Sequence, residues 1–316
     1  MLKVHSDKEV VTKAFREHKR DPFKNPRDFI DFLHKDADLV IYGKPNQYEW
    51  DILSKFQEGR GNALIGTDDR GLERCNDKID HKNPYQVLFF NTSDDGKKEA
   101  HKIQSNHLLG FIDDYVEVFK KLSNDPFWRV GDKESVYEFS DWSEVLPDLP
   151  VSDIIITDPY LFAENDENNP HEENYYRILD EIARKYSLKS LIVLTTRVDQ
   201  TLRKILEAES KKILGDDVAF YLLVFRKSIE HDRYIFMNYH YVNTGNSMNY
   251  FNEDGEVEAK SPSKIEVFPL CKEKNFIIAQ DILRKLHESI ENLKNDKRTL
   301  PRSITSNLFF YLDDNV

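Results

Sequence analysis

A chain of 316 residues, 39% hydrophobic and 32% charged, can bury a large core, which excludes a single small module and a disordered or fibrous polymer. Its formal net charge of −12 opposes general adhesion to nucleic acid or acidic membrane, so any recognition of an anion has to be local. No window reaches the roughly 18 uninterrupted apolar residues that a membrane span needs, and "MLKVHSDKEV" lacks the apolar stretch of a signal peptide, so a cytoplasmic location is expected.

In chain order, "EVVTKAFREH" carries apolar residues at helical spacing, and "NPRDFIDFLHKD" places Asn25 as an N-cap before Pro26 at the first helical position. Two short apolar runs closed by turn residues, "ADLVIYG" and "YQVLFF", predict strands, with "GNALIG" between them as a weaker third. "HLLGFIDDYVEVFKKL" predicts a helix whose lysines suit the dipole at its end. Residues 1–145 therefore predict an α/β domain. It carries no motif of its own, and a protein partner would engage the chain here.

The periodicity breaks over residues 140–153, "SDWSEVLPDLPVSD", where two prolines and several acidic residues mark the boundary. After it, "DIIITDPYLF" predicts a buried strand, "ENYYRILDEIARKY" an amphipathic helix and "SLIVLTT" a second strand, which together form a βαβ unit. "VDQTLRKILEAESKKIL" adds a helix and "VAFYLLVF" a strand. Residues 150–316 thus predict a mixed sheet flanked by helices, with ligands at the strand ends.

Several chemistries lack their motif. Cys75 and Cys271 are far apart and without metal-ligand spacing, and His101 and His107 stand six apart rather than four, so neither a disulfide framework nor a metal site is indicated. Without a phosphate-binding loop, a dinucleotide glycine fingerprint or a Gly-x-Ser-x-Gly elbow, no cofactor is expected. From Lys260 to Thr305, ten basic residues face six acidic ones, a surplus of +4 that makes this tail the only plausible basic face; a solvated helix surface is the favoured account of it.

The stretch "HDRYIFMNYHYVNTGNSMNYF", residues 231–251, carries the remaining chemistry. Read as a strand over residues 231–238, it turns His231, Arg233, Ile235 and Met237 to one side and Asp232, Tyr234, Phe236 and Asn238 to the other. A guanidinium beside an imidazole suits a phosphate: the planar cation grips two oxygens while the imidazole attacks phosphorus or passes a proton. Asp158, at the end of "DIIITDPYLF", could orient His231 or pair with Arg233; "DPY" also reads as a plain turn. The tyrosines of "YIFMNYHYV" suit strand packing or base stacking.

The pattern His231-x-Arg233-x4-Asn238 followed by "TGNSMN" resembles a degenerate phospholipase D signature, His-x-Lys-x4-Asp with a Gly/Ser/Asn segment. "HDRYI" leading to "TGNSMNYF" is similar to the phospholipase D-like C-terminal domain of microtubule-interacting-and-trafficking proteins and its bacterial relatives, and "IIITDPYLF" resembles that family's early strand. The resemblance covers residues of about 150–255. Spacing by itself is weak, since His18, Arg20 and Asn25 repeat the pattern in a polar stretch. The resemblance implies His231 as nucleophile, with Arg233, Asn238, Asn246, Ser247 and Asn249 around a phosphodiester and Asp158 in support.

Departures matter as much. Arg233 stands for Lys and Asn238 for Asp, and the strand-borne motif occurs once, so a two-histidine mechanism would need a symmetric dimer. Three functions follow: a module that recognises a phosphodiester in nucleic acid or a lipid headgroup, a dimeric metal-independent nuclease, and a protein-interaction component with a vestigial site. The family's bacterial relatives imply a defence context.

Overall fold

Leu2–Asp7 (β1), buried at every position but Lys3, passes without a loop into the amphipathic helix Lys8–Arg20 (α1). The computed structural model describes residues 1–20, 26–58, 62–66, 68–92, 107–130, 142–162, 171–225, 233–245, 248, 250–251, 257, 263–295, 304 and 306–313. Two compact units share the chain: residues 1–124 with 269–278, and residues 125–268 with 279–316. The 140–153 stretch lies within the second.

In the first unit, Ala37–Tyr42 (β2), Ala63–Ile65 (β3), Gln86–Phe90 (β4) and Leu108–Phe111 (β5) join β1 in an all-parallel sheet of order β3-β2-β1-β4-β5. Pro26–Lys35 (α2), Gln47–Leu53 (α3) and Tyr115–Ser123 (α4) are its other helices. Burial on both faces makes β4 apolar from Val87 to Phe90: Phe89 meets Phe29 edge-on at 5.1 Å, while Leu88 and Phe90 join Tyr42, Leu72 and Cys75 on the opposite face. Gly110 of β5 has no alternative, because a Cβ there would stand 2.5 Å from the Phe89 ring. α2 starts at Pro26 as its sequence predicts; Asn25 lies outside the described residues.

Two expectations need correction here. Residues 107–122 are not one helix, because Leu108–Phe111 pairs with β4 as β5 before α4 begins. Asp114 marks the break, its carboxylate accepting the Phe111 amide at 2.6 Å. Residues 2–7 form a central strand that the helical reading of the opening segment passed over.

The second unit holds a seven-stranded sheet of order β6-β12-β11-β10-β7-β8-β9. Its strands are Phe127–Val130 (β6), Asp153–Thr157 (β7), Ser190–Thr196 (β8), Ala219–Phe225 (β9), Tyr234–Phe236 (β10), His240–Asn243 (β11) and Ser263–Pro269 (β12). β7, β8 and β9 are parallel, joined through His171–Lys185 (α5) and Gln200–Leu214 (α6), while β10 and β11 are antiparallel additions. The predicted mixed sheet with flanking helices is therefore present. α5 buries Tyr175, Ile178, Leu179 and Ile182 in a core shared with Ile154, Leu191, Ile235 and Met237. On the other side, Tyr234, Phe236, Tyr241 and Phe268 stack on one another.

The strand expected over residues 231–238 is shorter. β10 covers only Tyr234–Phe236, and the Met237 amide donates to the His240 carbonyl at 2.9 Å, turning the chain back into β11. "YIFMNYHYV" is thus a hairpin. Glu273–Asn295 (α7) and the short helix Phe310–Asp313 (α8) complete the described residues.

Candidate functional site

Parallel strands point their carboxyl ends to one edge of a sheet, where the chain must leave and loops gather. At that edge of β7, Asp158 donates its amide to the Leu194 carbonyl at 3.1 Å, so its position is set by the neighbouring strand β8. Its side chain is fully buried. One carboxylate oxygen accepts the Tyr160 amide at 2.8 Å and the other the Met248 amide at 3.3 Å, so the "DPY" turn is built on the aspartate itself.

Arg233 enters from the start of β10, which runs antiparallel to β7 and therefore opens where β7 ends. Its Nε lies 3.4 Å from Asp158 Oδ1, an ion pair without an aligned hydrogen bond, and its Nη1 donates to the Gly245 carbonyl at 3.0 Å. Among the described residues Nη2 has no hydrogen-bond partner. Burial pushes the Asp158 carboxyl above its usual range, while the Tyr160 amide, Arg233 and the Met248 amide pull it back. Two amide donors and a cation around one carboxylate fit its ionised form. Removing Arg233 leaves the Asp158 carboxylate buried and without its cation, which costs about 3–5 kcal/mol.

Tyr160 brings in a residue that the motif did not indicate. The Arg233 guanidinium lies 5.2 Å from the centroid of its ring, and that of Arg197 lies 5.4 Å from it. Arg197 follows directly after β8, is exposed, and takes φ 57°; among the described residues no other non-glycine residue has positive φ. A left-handed conformation costs a side-chain-bearing residue about 1–2 kcal/mol. The backbone here accepts strain while the guanidinium stays at the carboxyl edge. No carboxylate pairs with Arg197 among the described residues. Beside the cluster, Thr157, Pro159, Leu194, Thr195, Thr196 and Phe225 line a shallow recess.

Of the residues expected around a phosphodiester, Arg233 and Asp158 come together. Asn238 does not. Five residues further along the extended chain, in the turn of the hairpin before β11, it sits roughly 16 Å away at the amino end of β7. There its Oδ1 accepts the Ser152 amide at 3.1 Å and its Nδ2 donates to Ser152 Oγ at 3.1 Å. Next to it the buried Asp153 carboxylate collects Ser152 Oγ and Ser190 Oγ at 2.6 Å each, and the Asn307 amide at 3.0 Å. This is a satisfied structural network that fastens residues 306–309 to the sheet. His231, Asp232, Asn246, Ser247 and Asn249 lie outside the described residues.

Tyr160 and Arg197 left one signal in the sequence, their place at the ends of "DIIITDPY" and "SLIVLTTR", where an α/β sheet presents its ligands. Among the described residues no cluster of three metal-ligating side chains occurs, and no helix is long and apolar enough to cross a membrane. No protein-family model matches the chain, and a search of curated proteins finds no match.

Proposed function

We propose that the carboxyl edge of β7–β9 recognises a phosphodiester through Arg197 and the Nη2 of Arg233, in keeping with the resemblance of residues 150–255 to phospholipase D-like proteins. The observation that carries this reading is the pairing of two guanidiniums on one tyrosine ring, against a single buried carboxylate. Asp158 fixes the Arg233 fork without using all of its donors. Arg197 has no internal anion among the described residues. A tetrahedral phosphate oxygen set suits two planar cations far better than a point charge. The net charge of −12 keeps such recognition confined to this edge.

Arg197→Ala gives the clean test, because the residue is exposed and outside the buried ion pair. Binding of a labelled single-stranded oligonucleotide and of vesicles rich in anionic phospholipid should weaken by roughly tenfold to a hundredfold for whichever carries the true ligand, the worth of a charged hydrogen bond. Two phosphate contacts on a single strand give a log–log salt slope of roughly −1.4. Wild-type affinity in Arg197→Ala for both probes would remove the site. The resemblance gives the nucleophile's role to His231: chelator-resistant hydrolysis lost in His231→Ala adds catalysis to recognition, and hydrolysis by neither protein leaves recognition alone.

A further inference from the structure

At the far side of the same sheet, β9 is the last strand, and β8 is its partner. The Ala219 amide donates to the Lys189 carbonyl at 2.9 Å, which sets the direction of every second peptide unit. Residues 219, 221, 223 and 225 address β8; Phe220, Leu222 and Val224 present their amides and carbonyls outward. One of those outward carbonyls is already in use. Arg203, from α6, donates Nη2 to the Leu222 carbonyl at 3.2 Å while its Nε holds Glu207 at 2.8 Å. A side-chain donor thus stands where the amide of a further strand would stand.

An open groove of about 140 Å³ runs beside it, with residues 220–223 as its floor and Arg203, Glu207 and Lys211 as its wall. Apart from Arg203, β9 itself carries none of the usual guards of a sheet edge among the described residues: "AFYLLVF" has no proline, no lysine and no charge over seven residues. Charge selects the occupant. Glu207 is engaged by Arg203, whereas Lys211 has no carboxylate partner among the described residues, so the wall is cationic towards whatever enters. A second copy paired across a two-fold axis would set this cationic wall against its own image.

We propose that the β9 edge receives an extended acidic segment of a partner protein by strand addition. The incoming amide replaces Arg203 on the Leu222 carbonyl, and the released guanidinium, with Lys211, takes a carboxylate of the added strand. Backbone pairing supplies the affinity and the cationic wall the specificity.

A labelled ten-residue peptide of alternating Val and Glu, its Lys counterpart and the full chain make the test by fluorescence anisotropy and hydrogen exchange. The Glu peptide should bind and slow exchange at the Phe220 and Leu222 amides, and the Lys peptide should not. Lys211→Glu, a change at an exposed position, should weaken binding at least tenfold. Val224→Pro removes an outward amide and leaves the β8 ladder intact, and should abolish binding in a protein whose circular dichroism is unchanged. Equal binding of both peptides, binding that survives in folded Val224→Pro, or no binding of either peptide overturns the proposal. So does a dimer in sedimentation that Val224→Pro dissociates, which would give the edge to a second copy.

Discussion

His5 shows at the scale of one residue how a buried polar group is made tolerable. Its Nε2 meets Gln86 Oε1 and its Nδ1 meets the Tyr42 hydroxyl, both at 2.9 Å. The glutamine oxygen only accepts, so Nε2 carries the proton and Nδ1 accepts from Tyr42, a tautomer assigned by its network. Gln86 is held in turn by the carbonyls of Asp80 and Asn83. Burial, with Lys3 adding to it, brings the His5 pKa down to about 4. An unfolded histidine titrates near 6.5, so on acidification the unfolded chain takes up this proton first. The associated stability is complete above about pH 6.5 and is lost progressively as pH falls towards 4, by about 3 kcal/mol in all. Urea unfolding of the wild type and His5→Gln between pH 4 and 7 checks this: the variant should be weaker at pH 7 with a flatter pH dependence, and an unchanged slope would assign the acid lability to other groups.

At the scale of elements, β7 is fastened at both ends by an aspartate, and the two ends do different things. Asp153 and Asn238 lock the amino end with satisfied hydrogen bonds; Asp158 and Arg233 pair at the carboxyl end, beside the exposed Arg197. Asn238→Asp, which restores the phospholipase D pattern on paper, would set a second carboxylate beside Asp153 and delete the donor to Ser152 Oγ. It should lower stability by roughly 1–3 kcal/mol and leave ligand binding at the opposite end unchanged; a gain in binding or hydrolysis would refute the separation of the two ends. The parallel strands were legible because runs such as "DIIIT" and "SLIVLTT", buried on both faces, are apolar along their middle, Ile154–Ile156 and Leu191–Leu194. The hairpin stayed hidden because its turn at Asn238 and Tyr239 is buried and carries neither glycine nor proline, so "YIFMNYHYV" reads as one continuous strand. Tertiary pairing with β4 likewise turned "LLGF" from a helical stripe into β5. Arg233 and Asp158 could be named from the motif, whereas Arg197 and Tyr160 meet only when two strand ends are placed side by side, which no spacing along the chain records.

At the scale of the whole molecule, the first unit takes residues 269–278 from beyond most of the second. Phe276, 5% exposed, meets Tyr85 edge-on at 5.5 Å, Cys271 Sγ lies 3.6 Å from the Leu122 carbonyl, and the Glu273 amide donates to Asp36 at 3.2 Å. Phe276→Ala should therefore cost about 3–5 kcal/mol, with hydrogen exchange rising in β1 and β4 and unchanged in β7–β9. Equal acceleration in both sheets would show that the two units unfold together. Synthesis gives this threading a second meaning. The chain leaves the ribosome amino end first at roughly 5–20 residues per second, so Asn124 precedes Pro269 by on the order of ten seconds. Through that interval the nascent first unit has its five strands but not the segment that covers Tyr85, and a chaperone meeting it then would find an aromatic surface that the finished protein never shows.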